Sequence, residues 1–238
     1  DRMQVCHRTH QGLVRTSNQD SWLAESPLFG VADGMGGHRG GETASRVALQ
    51  VFRSAIGCKE PDAEIIRIAV EAANRRVHEM SLRDEALQGM GTTMSMLWTG
   101  EDRLVIAHVG DSRIYRLRDG ELKQVTDDHS FVAELVRKNV ITPEMAKNHP
   151  HRNIITRAVG VDPMVQVDVL EEELRPDDRW LICSDGLHGM VEDQEMQQIL
   201  AGMEPEAAAD RLLSRALENG GIDNITFVLL SHTEVTDK

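Results

Sequence analysis

Apolar positions along this chain recur with two different periods. Residues 5–7, 28–32, 93–98, 104–109, 114–118, 122–125, 165–169, 180–184 and 225–230 either alternate with polar neighbours or run continuously apolar, and read as strands. Ala44, Val47, Ala48, Val51, Phe52 and Ala55 recur at helical spacing and stop at Gly57. Ile66, Val70, Ala73, Val77 and Met80 do the same in a longer helix, and two more helices fit 193–200 and 206–219, the second closed by Gly220-Gly221. Strands and helices are grouped more than alternated. The expected class is therefore α+β, with mainly antiparallel sheets and helices on their outside. The stretch 130–160 is different in character: polar, carrying Arg137, Lys138, Lys147, Arg152 and Arg157, with one short helix expected at 131–136. It reads as an excursion beside the sheets.

Composition narrows the setting. The 238 residues show no Pro/Ser-rich or charge-run linker, so 1–238 is expected to be a single domain and a monomer. Aromatic residues make up only 3% and methionines number 11, so the core is expected to be aliphatic and Met-rich. A formal charge of −13 opposes nucleic acid and anionic membranes, and Glu171-Glu172-Glu173 reads as a solvated face. Cys6, Cys58 and Cys183 are scattered and odd in number, which argues against a disulfide framework and for a reducing, cytoplasmic setting. No apolar run approaches the ~18 residues of a membrane span. No signal-peptide pattern stands at Asp1, where the chain is expected to have lost its initiator region.

The chemistry is signalled by aspartates at strand ends. Asp119-Gly120 lies between the strands 114–118 and 122–125 and needs only a hairpin turn. Asp33 ends an apolar strand too, but no return strand follows: Gly34, Gly36, Gly37, Gly40 and Gly41 lead into a helix instead. Glycines in such number let the backbone approach a ligand closely. A dinucleotide loop fails, because the last glycine of GxGxxG falls on Arg39, and no GxxxxGK occurs. A hard cation is the alternative. Asp33, Asp111, Asp185 and Asp223 each stand where an apolar strand meets a small-residue turn. Carboxylates gathered at one sheet edge resist joint ionisation without a cation, and an oxygen-only set selects Mg²⁺ or Mn²⁺ over zinc.

GLVRTSNQD at 12–20, VADGMGGHRGGETAS at 31–45, GMGTT at 89–93, HVGDSRIYRL at 108–117, LICSDGL at 181–187 and GGIDNIT at 220–226 together resemble, in order and spacing, the protein phosphatase 2C family. These are metal-dependent serine/threonine phosphatases, and the DGMGGH form is similar to the bacterial branch. The resemblance implies a four-layer αββα sandwich with a two-metal centre at one end. Position by position, it implies that Asp33 bridges both metals and that Asp185 and Asp223 complete the first. The Gly34 carbonyl, with Asp20 acting through water, would hold the second; Asp111 with Asp185 matches a weaker third site. Arg15 matches the arginine that grips the substrate phosphate, and 130–160 matches a flap beside the active site. Implied partners are phosphorylated proteins that a cognate bacterial serine/threonine kinase modifies.

Two divalent ions about 3.5–4 Å apart can acidify a bridging water and clamp the reacting oxygens, so no protein nucleophile is required. In keeping with that, no cysteine here has an arginine six positions on, and there is no GxSxG. Cys183 is expected to be a buried core thiol. Two positions depart from the family pattern. Met35 stands where animal members carry a histidine proposed as general acid, which leaves water or His38 to protonate the leaving group. Gln19 stands where many members have glutamate beside Asp20. His149-Pro150-His151 and the group Cys6, His7 and His10 have metal-like spacing without a full ligand set, so structural roles are expected. The competing functional class is an inactive phosphatase-fold binding module, against which stands the presence of every metal aspartate.

Overall fold

Period-two alternation decides the layering of this chain. The structure, a computed structural model, describes residues 3–37 and 39–233. In chain order the elements are β1 (Met3–His10), β2 (Asp20–Glu25), β3 (Leu28–Met35), α1 (Gly40–Ile56) and α2 (Ala63–Arg83). Then follow β4 (Gly91–Thr92), β5 (Met94–Thr99), β6 (Arg103–Val109), β7 (Arg113–Arg118), β8 (Glu121–Gln124), α3 (Phe131–Arg137) and α4 (Pro143–Lys147). The last group is β9 (Asp168–Glu173), β10 (Arg179–Cys183), α5 (Asp185–His188), α6 (Asp193–Gly202), α7 (Pro205–Glu218) and β11 (Ile225–His232). One sheet runs β1-β11-β10-β7-β8 and the other β2-β3-β5-β6-β9, with β4 paired to β3. Every strand pair is antiparallel.

Successive side chains of a strand point to opposite faces, so each buried strand feeds two cores. Phe29 and Val31 of β3, Leu97 of β5, Leu104 and Ile106 of β6, Trp180 and Ile182 of β10, and Val228 and Leu230 of β11 meet between the sheets. The intervening Leu28, Ala32, Met96, Trp98, Val105 and Ala107 face α1 and α2. On the other sheet Leu181, Cys183, Phe227 and Leu229 face α6 and α7, against Met196, Leu200, Ala208 and Leu212. The result is the αββα sandwich. Continuous apolar runs in the sequence are thus explained: both faces of these strands are dry.

The elements differ from expectation where burial is partial. β2 has no clean alternation, being an edge strand with half-exposed positions, and the periodicity gives no strand there. The strand expected at 165–169 lies at Asp168–Glu173, so Glu171, Glu172 and Glu173 belong to an edge strand paired with β6, with Glu171 and Glu173 on its exposed face as the reading of a solvated face expects. Charge on an edge strand blocks pairing with foreign chains, which reconciles those glutamates with a strand. Glu172 also meets Arg116 of the facing sheet at 3.5 Å. The excursion 130–160 carries α4 in addition to the expected helix, capped by the Thr142 hydroxyl, which accepts from the Met145 N–H. Helix α1 begins at Gly40, four residues before its first apolar marker. Among the described residues no helix is long and apolar enough to cross a membrane.

The layer between the sheets sets the spacing of everything at its mouth. Phe29→Ala, which empties a fully buried position in that layer, is expected to lower unfolding free energy by about 3–5 kcal/mol, measured as a urea midpoint shift at constant slope.

Candidate metal centre

Asp33 continues the face of β3 that carries Phe29 and Val31, so the same alternation that builds the inter-sheet core delivers a carboxylate at its end. Asp20 opens β2 directly opposite Asp33 in the antiparallel register. From the other sheet come Asp185, where β10 gives way to α5, and Asp223, two residues before β11. One carboxylate oxygen from each of Asp33, Asp185 and Asp223 lies within 4.8 Å of the others. Asp111, after β6, stands beside Asp185 and is buried. The structure therefore gathers every aspartate that the sequence singled out at one end of the sandwich.

These acids are strained electrostatically. Burial, and then the charge of neighbouring acids, pushes Asp33 and Asp111 well above the usual carboxylate range. Burial raises Asp20 to about 7, and burial with the adjacent Asp223 raises Asp185 to about 6. Three buried oxygens, Oδ1 of Asp20, Asp111 and Asp185, have no hydrogen-bond partner. A buried acceptor without a partner costs about 1–3 kcal/mol or more, so an orphaned trio at one site calls for a ligand. Oxygen donors in this number are the ligand set of Mg²⁺, Mn²⁺ or Ca²⁺.

The glycine segment packs as its composition requires. A Cβ on Gly34 would collide with the carbonyls of Gly41 and Gln19, so the start of α1 lies directly on the end of β3. Gln19, the uncharged replacement noted above, donates from Nε2 to the Gly36 carbonyl at 3.2 Å and so ties that loop to β2. Met35 pairs with Gly91 of β4. His38 lies outside the described residues.

Arg15 sits at the lip of the acid cluster. Its Nε is 3.4 Å from Asp223 Oδ1, and its side chain remains 56% exposed, so the guanidinium is open to an incoming anion. The loop that carries it is held by Asn224, whose Nδ2 donates to the carbonyls of Gln11 and Ser17, both at 2.8 Å. Asn224 Oδ1 in turn accepts from the Gln19 N–H at 3.0 Å. Thr226 donates its hydroxyl to Asp20 Oδ2 at 2.6 Å, joining the two sheets, and Thr93 Oγ1 accepts from the Asp33 N–H at 3.0 Å. Periodicity and composition do not point to Asn224, Thr226 or Thr93. Their signal is adjacency: each lies inside or beside a quoted motif.

Segment 130–160 is rooted beside Asp111. The His129 N–H donates to the Gly110 carbonyl at 2.9 Å, Ser130 pairs with Ile155, and Val159 pairs with Thr92. His188 Nε2 donates to the Asp111 carbonyl at 2.7 Å, and burial holds this imidazole neutral, lowered to about 3.

The lesser histidine groups have structural partners. Cys6 Sγ donates to Glu206 Oε1 at 3.2 Å, His7 stacks on Trp22 and His10 Nδ1 accepts from the Gly12 N–H. His149 and His151 pack edge-on against Phe131. Cys183 is a buried thiol whose pKa burial drives upward, as expected; all three cysteines are unpaired.

The profile of the Protein phosphatase 2C family matches residues 9–219. The serine/threonine protein phosphatase PstP of Mycobacterium tuberculosis is 40% identical over 93% of this chain, which spans only 43% of that protein's length. The serine/threonine phosphatase stp of Listeria monocytogenes is 38% identical, with 97% of this chain and 96% of that protein covered. Among solved structures, the catalytic domain of a serine/threonine protein phosphatase PstP in complex with two manganese ions superposes with a TM-score of 0.91 at 36% identity, covering 98% of this chain and 99% of that one. Sequence, fold and the converging acids agree, and the chain belongs to the protein phosphatase 2C family of serine/threonine phosphatases.

Proposed function

We propose that this chain hydrolyses phosphoserine and phosphothreonine monoesters in proteins, at a centre that takes two divalent ions, Mn²⁺ or Mg²⁺. The observation that carries this is the trio of buried, unpartnered aspartate oxygens at the end of the sandwich. The two manganese ions of the similar PstP catalytic domain support the same choice of ion. Asp33 would bridge the two ions, Asp185 and Asp223 would complete one, and the Gly34 carbonyl with Asp20 would serve the other. Asp111 with Asp185 is the candidate for a third. When bound, such ions supply a water acidified towards neutral pH and neutralise charge on the phosphoryl oxygens.

The remaining work falls to the chain itself. Arg15 offers paired N–H donors to two phosphate oxygens, a contact that lysine cannot reproduce. Its tether through Asn224 fixes the distance between the phosphate grip and Asp223. Met35 has no proton to give, so the leaving alkoxide takes its proton from solvent. An inactive binding fold has no reason to keep three carboxylate oxygens buried and unsatisfied at a cost in stability.

Asp33→Asn and Asp223→Asn are each expected to abolish turnover of p-nitrophenyl phosphate and of a phosphothreonine peptide at saturating Mn²⁺; substantial activity in either would contradict the metal assignment. Arg15→Ala is expected to raise KM for the phosphopeptide about tenfold or more with Mn²⁺ affinity intact, and an unchanged KM defeats its role. The raised aspartates also fix a pH dependence of stability. Between about pH 4 and 7 the native acid cluster retains protons that the unfolded chain has released, so its contribution to the stability of the metal-free protein falls as pH rises. The buried neutral His108 and His188 act in the opposite sense only up to about pH 6.5, so thermal melts without metal should fall between pH 6.5 and 7.5. Added Mn²⁺ should raise Tm more at pH 7.5 than at pH 5, because protons compete for the same oxygens.

A further inference from the structure

A groove of about 280 Å³ lies between β2 and α1, lined among others by Ser21, Leu23, Arg46, Leu49, Gln50 and Arg53. None of its lining residues is acidic, in a chain whose net charge is −13. Its position is set by the metal centre. β2 starts at Asp20, and α1 starts where Gly41 rests on Gly34, so both walls originate at the acid cluster. The groove runs from there along the outside of the molecule. β2 is the edge of its sheet, and no strand among the described residues pairs with its outer side.

Arg39, Arg46 and Arg53 follow one another at seven-residue spacing, and all are exposed. Seven residues are nearly two full helical turns, so Arg46 and Arg53 share one face of α1, with Arg39 at its N-terminal boundary. Successive arginines stand about 10 Å apart along the axis, since the helix rises about 1.5 Å per residue. An extended peptide advances about 3.3 Å per residue, so each step covers about three peptide residues. Arg53 reaches Glu25 at 3.6 Å, both side chains being well exposed; Arg46 forms no salt bridge among the described residues. The floor between them is apolar, through Leu23 and Leu49.

We infer that this groove docks an acidic segment of the phosphoprotein substrate, lying about three to seven residues from the phosphoresidue, through Arg46 and Arg53. The inference rests on the phosphoprotein phosphatase reading above. The strongly negative molecule repels acidic sequences at long range, and a local line of guanidinium groups leading from the phosphate site provides the complementary field. Arginine over an apolar floor is also the residue type that carries binding energy in docking surfaces.

The test compares kcat/KM for two phosphothreonine peptides of one core sequence. One carries glutamates three to seven residues from the phosphothreonine and the other carries glutamines there, with versions extended on either side. The wild-type protein and the doubly charge-reversed R46E/R53E are assayed with Mn²⁺ at low and high ionic strength. Wild type should favour the acidic peptide about tenfold at low salt, through KM, on the side that lies in the groove, and the preference should shrink to about twofold at high salt. In R46E/R53E the preference should vanish or invert, while p-nitrophenyl phosphate, which has no flanking segment, is turned over at the wild-type rate. Equal kcat/KM for acidic and neutral peptides in wild type, with p-nitrophenyl phosphate hydrolysed, overturns the groove assignment alone. A wild-type preference that survives in R46E/R53E overturns it as well. If wild type hydrolyses nothing, the catalytic reading fails, and fluorescence anisotropy of the same peptides on both proteins decides the groove separately: affinity unchanged by the reversal refutes it.

Discussion

Acidic side chains held together out of water are the constraint around which this molecule is arranged. Asp20, Asp33, Asp111, Asp185 and Asp223 converge at one end of two packed sheets, and three of their oxygens are buried with no donor. Left to themselves, Asp20, Asp33, Asp111 and Asp185 hold protons above the ordinary carboxylate range. The fold tolerates this because the inter-sheet core behind them, built on Phe29, Val31, Trp180 and Val228, is apolar and fully buried. Stability stored in that core offsets the unfavourable cluster at its rim, an arrangement found where function needs strain.

The same alternation connects core and site. Along β3 the odd-numbered positions Phe29 and Val31 enter the inter-sheet layer, and the next odd-numbered position is Asp33. Thr226 on β11 uses the equivalent face of the opposite sheet to reach Asp20, so a hydrogen bond takes over where apolar contact ends. Asn224 then extends this order into irregular chain. Its amide holds the loop that carries Arg15, which would otherwise have the freedom of any exposed arginine. The position of Arg15 relative to the acids is thus inherited from sheet packing through one side chain.

The mouth of the site has walls of unlike chemistry. The polar segment 130–160 is anchored beside Asp111 through Gly110 and Thr92. On the other side α1 and β2 enclose a groove with arginines along it, in a protein otherwise rich in acid.

The amino-acid pattern alone determined much of this. The apolar periods mark the buried strands and long helices, because full burial writes an unambiguous pattern. The aspartates beside strand ends, the glycine run and the absence of a catalytic cysteine carry the oxygen-ligand chemistry, and six ordered motifs carry the family. The edges of one sheet were poorly legible: β2 is half-exposed and lacks alternation, and half of β9 is glutamate, whereas the edge strands β1 and β8 of the other sheet were read from their apolar positions. Only the tertiary structure decided that Asp20 faces Asp33 across a strand pair, that Asn224 holds the Arg15 loop, and that a groove opens between β2 and α1. Such contacts join residues as many as 213 positions apart, and a linear pattern records what each residue prefers as surroundings without recording which partner supplies them.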